Sequence, residues 1–166
     1  MKRVLMLLAA LVISATASFA HEFKLGDLEI HHPASKATLP GQPVGGGFMT
    51  IINHGSAPDR LVAITSDVSD DVQIHEMSVV DGVMKMRQLA EGVEIAPGAT
   101  VELKPGGLHV MFMSIKQPFV EGEMIKAKLT FAKAGSIDVE FKVEAARKGA
   151  ATGEGKADEP HVEHKM

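Results

Sequence analysis

Ile125, Ala127, Leu129 and Phe131 alternate with polar residues, and after Ala134-Gly135-Ser136 the alternation resumes through Ile137, Val139, Phe141 and Val143. Successive side chains of a strand point to opposite faces, so a period of two predicts a hairpin with one apolar face. Upstream the chain repeats this in shorter pieces. Leu28 to Ile30 forms a strand ending at His31-His32-Pro33, and Phe48 to Ile52 forms another, stopped by Asn53-His54-Gly55. Further strands are predicted over 61–64, 72–77, 101–103 and 108–115, with a hairpin at Asp81-Gly82 between Val79-Val80 and Val83 to Met86. Ile95-Ala96-Pro97-Gly98 and Lys104-Pro105-Gly106-Gly107 read as turns, and Asp59-Arg60 as a charged surface pair. The segment from Pro33 to Gly47 holds three prolines and four glycines and is predicted to be an irregular connection. A helix between 110 and 125 is opposed by Pro118 and Gly122. Seven to nine short strands without a long helix predict an all-β fold, an antiparallel Greek-key sandwich.

The two ends differ from this middle. Lys2-Arg3, the apolar run from Val4 to Ile13, and Ser18-Phe19-Ala20 predict a secretory signal peptide over residues 1–20. Residues 21–146 are then the folded domain. Residues 147–166 lack apolar periodicity and are predicted to be a flexible tail. Cleavage removes two cations and leaves 15 Lys and Arg against 21 Asp and Glu, a formal charge of -6. A surface of that sign is a poor match for nucleic acid. No later apolar run is long enough for an integral membrane protein. With no cysteine in the chain, the sequence predicts neither disulfides nor a lipid anchor on a new terminal cysteine. A periplasmic location and a monomeric core are expected.

Catalytic motifs are missing where they would be sought. There is no G-x-S-x-G, no H-E-x-x-H and no cysteine nucleophile, and Asp67, Asp70 and Asp71 lack the spacing of a calcium loop. A blue-copper electron carrier would need a cysteine thiolate. What stands out is a set of soft donors: His75, Met86, His109 and Met111, in the pattern H-x10-M-x22-H-x-M. Uncharged, polarisable thioethers and imidazoles suit Cu(I) better than they suit hard cations. On a strand over 108–113, Leu108, Val110 and Phe112 would face the core. His109, Met111 and Met113 would share the other face, about 7 Å apart at a rise of ~3.3 Å per residue. On that face His109 and Met111 can converge on a metal if their side chains lean together, and a methionine-rich apolar layer is the alternative of equal standing.

The sequences His75-Glu76-Met77, MKMRQL over 84–89 and ELKPGGLHVMFM over 102–113 resemble the periplasmic PCu(A)C copper chaperones. The resemblance extends over most of residues 23–144, including GGFMTIINHG and Asp59-Arg60-Leu61. It implies a cupredoxin-like sandwich that binds Cu(I) through His75, Met86, His109 and Met111. It also implies delivery of copper for the CuA centre of cytochrome c oxidase, the partner being subunit II or another CuA assembly chaperone. Met77, Met84 and Met113 are then packing around the site, Glu76 a weak candidate for supporting a histidine, and His54 an exposed turn residue.

Other uses of the histidines give the alternatives. Copper buffering or resistance without directed delivery is one. A copper-dependent oxidase built on the amine and imidazole of a mature N-terminal His21 is the other, and it lacks the aromatic substrate surface such an enzyme wants. The chain is therefore expected not to be an enzyme. In the tail, His161, His164 and Met166 are expected to form an auxiliary site for Cu(II), with His21 or the His31-His32 pair as further donors; a solubilising tail with incidental histidines is the alternative.

Overall fold

The structure is a computed structural model that describes residues 22–146; the predicted signal peptide, His21 and the tail histidines lie outside them. Eleven strands follow in order: β1 (Glu22–Leu25), β2 (Leu28–Lys36), β3 (Gly45–Asn53), β4 (Asp59–Ser66), β5 (Asp71–Val80), β6 (Val83–Gln88), β7 (Val93–Ile95), β8 (Thr100–Leu103), β9 (Leu108–Met113), β10 (Met124–Phe131) and β11 (Gly135–Glu144). Hydrogen bonding links them in the order β6-β5-β9-β3-β2-β11-β10-β4-β7, with β1 on β2 and β8 on β3. All pairs are antiparallel except β11 with β2. The non-sequential order and the two changes of partner described below fold this path into a Greek-key β-sandwich.

The alternating residues supply the core. Ile30, Ile51, Leu61, Ile95, Leu129 and Phe141 are wholly buried, each contributing about 1.5–3 kcal/mol of transfer free energy. Phe112 meets Phe119 and Phe141 edge-on, with ring centroids 5.6 and 5.7 Å apart. That geometry sets the positive rim of one ring against the negative face of the next.

Four expectations change. β2 does not end at Pro33 but runs to Lys36 through an irregularity, with His32 at φ 48°. There it exchanges β1 for β11 as a neighbour, and an unpaired residue is what lets one strand serve two partners. The glycines at 45–47 belong to β3, not to a connection. They are small because aromatic rings lie on them: a Cβ on Gly45 would come within 2.2 Å of Phe119, and one on Gly47 within 3.0 Å of Phe112. β3 also changes partner, from β9 over Gly45–Gly47 to β8 from Met49 onward. β1 and β7 are too short to show alternation, so the strand count exceeds the seven to nine expected. Finally, Asp59 is buried at 8% exposure inside β4 rather than on a surface turn. The turn at Asp81-Gly82 stands as anticipated, with φ of 53° and 77°, the left-handed pair of a type I′ hairpin.

Candidate metal centre

β6, β5 and β9 lie side by side, and directly opposed residues share a face. His75 opposes His109 across β5 and β9. Gln73 opposes Met111 in the same pair, and Met77 opposes Met86 across β5 and β6. The four candidate ligands therefore fall on one face, with His75 as the hub. His109 is its direct neighbour, and Met86 and Met111 are its two diagonal neighbours, within reach of long side chains. The opposite face, with Ile74, Val110 and Phe112, is core.

The register also shows what the fold does not bring together. Met86 and Met111 lie one residue row to either side of the histidine row, with rows ~7 Å apart along the strands. Met86 stands on the edge strand at 53% exposure, beside exposed Val79, Val83 and Met84. β6 ends this side of the sheet, and His75 and the 109–111 segment sit one and two strands inward.

The two imidazoles are fixed by different hydrogen bonds. Their centroids are 5.8 Å apart with planes at 67°. His109, 6% exposed, puts Nδ1 2.9 Å from the Gly107 carbonyl. A carbonyl only accepts, so Nδ1 carries the proton and Nε2 keeps its lone pair. The same carbonyl accepts the Met77 backbone N–H at 3.1 Å, tying the ring to the start of the hairpin. His75 places Nε2 2.7 Å from Gln73 Oε1, while its Nδ1 is buried without any hydrogen-bond partner. Burial first, and then the neighbouring His109, hold the His75 pKa below the ordinary imidazole value, with Asp71 acting in the other direction. An unpaired buried nitrogen is costly by itself, and the register puts Met86 and Met111 at the diagonals of this residue. Among the described residues no three His, Asp or Glu side chains gather where a metal could bind, so a centre on this face would draw on methionine sulfur. The donor set fits a soft ion.

The remaining singled-out residues go elsewhere. Glu76, on the opposite face, pairs with Arg87 and not with a histidine. His54 is exposed as anticipated and meets Glu29 at 2.6 Å. Met113 lies opposite Asp71 and Met84 opposite Val79, on the candidate ligands' face. The His161, His164 and Met166 set and His21 are outside the described residues. Sequence reasoning missed Gln73; its position two residues before His75, and so on the same face, was the available signal.

The LpqE-like family of lipoproteins matches residues 28–143. Lxx21020 of Leifsonia xyli subsp. xyli, named as a lipoprotein, is 29% identical over 149 residues, 80% of this chain and 89% of that one. Among solved structures, the copper-bound PCuAC domain from PmoF2 is 28% identical with a TM-score of 0.65, covering 76% of this chain and 99% of the domain. The apo PCuAC domain from PmoF1 is 26% identical, also at 0.65, covering 76% and 100%. With the eleven-stranded sandwich and the face built on β5, β6 and β9, these likenesses give the family: the chain belongs to the LpqE-like family, within the PCuAC group of cupredoxin-like β-sandwiches.

Proposed function

We propose that this protein is an extracytoplasmic copper chaperone, not an enzyme, that holds Cu(I) through His75, Met86, His109 and Met111. It then passes the ion on for assembly of the CuA centre of cytochrome c oxidase. The observation that carries the reading is the pair of facing imidazoles, one with a buried lone pair that no protein group satisfies. The likeness to a PCuAC domain whose structure holds copper supports it. Met86 is the ligand that has to move: its exposed side chain must lean inward over Met77 to meet the ion held by the histidines and Met111. Without a charged ligand, softness and preorganisation supply the affinity, and no thiolate has to be displaced on release. An acceptor such as oxidase subunit II, or another CuA assembly chaperone, would approach along the exposed β6 side.

Anaerobic competition titration of residues 21–166 should give one Cu(I) per chain. Met86→Leu with Met111→Leu should lower the affinity strongly while the fold remains, since Leu keeps the apolar volume and removes sulfur. Undiminished affinity in that variant would refute the ligand set. Copper buffering is separated by deleting the gene: low CuA loading at scarce copper marks delivery, whereas normal loading with raised copper sensitivity marks buffering.

A further inference from the structure

The two histidines differ in which ring nitrogen is left bare, and the cause for His75 lies in residues outside the ligand set. Asp71 Oδ2 is 2.7 Å from Gln73 Nε2. A carboxylate accepts only, so the amide nitrogen of Gln73 must face Asp71 and the amide oxygen must face the other way. That oxygen is 2.7 Å from His75 Nε2, and a carbonyl oxygen also accepts only. His75 Nε2 must therefore carry the ring proton, leaving the lone pair on Nδ1, the atom that is buried without a partner. All three residues belong to β5 at alternate positions, so one strand carries the relay from surface carboxylate to imidazole.

We propose that Gln73, oriented by Asp71, is a positioning residue that holds His75 as the Nε2–H tautomer. His75 then offers Nδ1 to the bound ion, whereas His109 offers Nε2. This rests on the copper-binding function proposed above and adds to it the ligating atom of each histidine. Mixed ligation brings donors to the ion from two ring edges, so moving the proton of either imidazole to its other nitrogen removes a lone pair from the site. Hydrogen-bond partners of ligating histidines typically change metal affinity by about 10–100-fold when removed.

The test begins on the metal-free protein. Long-range 1H–15N correlation spectra of residues 21–166, recorded well above the ordinary imidazole pKa of about 6.5, report the tautomer of each ring directly. His75 should appear as Nε2–H and His109 as Nδ1–H. Gln73→Leu should release His75 into a tautomer mixture and leave His109 unchanged. Asp71→Asn, which keeps a carbonyl acceptor for the Gln73 amide, should retain the wild-type tautomer. Cu(I) competition should then show affinity about 10–100-fold lower in Gln73→Leu and close to wild type in Asp71→Asn. A wild-type His75 protonated on Nδ1 would overturn the proposal without any variant being needed. So would a Gln73→Leu protein with an unchanged tautomer, or one with a mixed tautomer and full Cu(I) affinity. Failure of the wild-type protein to take Cu(I), with the tautomers as expected, would overturn the copper function and leave the Asp71–Gln73–His75 relay standing.

Discussion

The Asp59 carboxylate accepts three backbone N–H groups: Arg60 at 2.7 Å and Lys133 at 2.9 Å on Oδ1, and Ala134 at 2.9 Å on Oδ2. Burial raises its pKa, and the three N–H groups together with the Lys133 charge outweigh that and hold it below the ordinary carboxylate value. A carboxyl with a depressed folded pKa stabilises the fold above its unfolded pKa of about 3.9 and loses that contribution as pH falls through the folded value. Asp59→Asn should therefore cost about 1–3 kcal/mol at neutral pH, because its amide NH2 turns a donor toward the Ala134 N–H. It should also flatten the acid limb of the stability curve below pH ~4, read by urea melts at several pH values. An unchanged acid limb would show that another carboxylate governs it. The role of Asp59 was not legible in the sequence, since the groups it caps lie 74 and 75 residues away. Of the candidate ligands, His109 and Met111 alternate within one strand and so share a face before any register is known, whereas His75 and Met86 join that face only through the pairing of β5 with β9 and β6. Gln73 left only its position two residues before His75 as a signal, because an amide has no chemical mark that separates positioning from solubility.

The β5–β6 hairpin and the glycines of β3 test the elements. Gly82 has φ 77° with open space around its Cβ position, so a side chain there strains the backbone without a clash. Gly82→Ala should cost about 1–2 kcal/mol in the hairpin. Hydrogen exchange should quicken over residues 78–86 while β10 and β11 keep their protection, and Cu(I) affinity should fall because Met86 rides on β6. Loss of protection throughout the sandwich would instead make the hairpin part of one cooperative unit with the core. Gly45→Ala is the opposite case, with no φ strain but a ring in the way. It should destabilise by about 1–3 kcal/mol through overpacking. Gly46→Ala should be milder, since its nearest neighbour would be Phe48 at 3.3 Å; equal melting temperatures for the two variants would refute the clash. Strands with regular alternation were legible, and β10 and β11 came out within two residues of their observed ends. Gly45–Gly47 were misread because glycine marks turns locally, while the reason for these glycines is a set of phenylalanines from β9, β11 and residue 119.

At the scale of the whole molecule, the path of β11 decides where the tail begins. Glu144 lies beside Lys36, and their side chains pair at 2.6 Å. Ser35 opposes Gly47, and Gly46 opposes Met111, so β11 ends level with the Met111 row of the candidate metal face. Three strand spacings separate β11 from β9, about 14 Å at ~4.8 Å each. Fifteen residues, the number from Ala146 to His161, can span at most about 50–54 Å when extended, more than that separation, so chain length does not stand against the proposed capture of Cu(II) near the candidate face. Imidazoles with the Glu163 carboxylate suit Cu(II) better than the thioether-rich face does. Ordering the segment around an ion costs conformational entropy, so binding there should be weaker than at a face whose two histidines are already held in place. Three proteins are to be compared: residues 21–166, residues 21–146, and the longer chain with His161→Ala and His164→Ala. Among the described residues β11 is the last strand, and melting temperature and Cu(I) affinity should be the same in all three. Cu(II) affinity should be highest in the unaltered longer chain, and it should fall as pH drops past about 6.5, where free imidazoles take up protons and lose their lone pairs. Equal Cu(II) stoichiometry and affinity in all three would remove any capture role from the tail and place Cu(II) binding within residues 21–146.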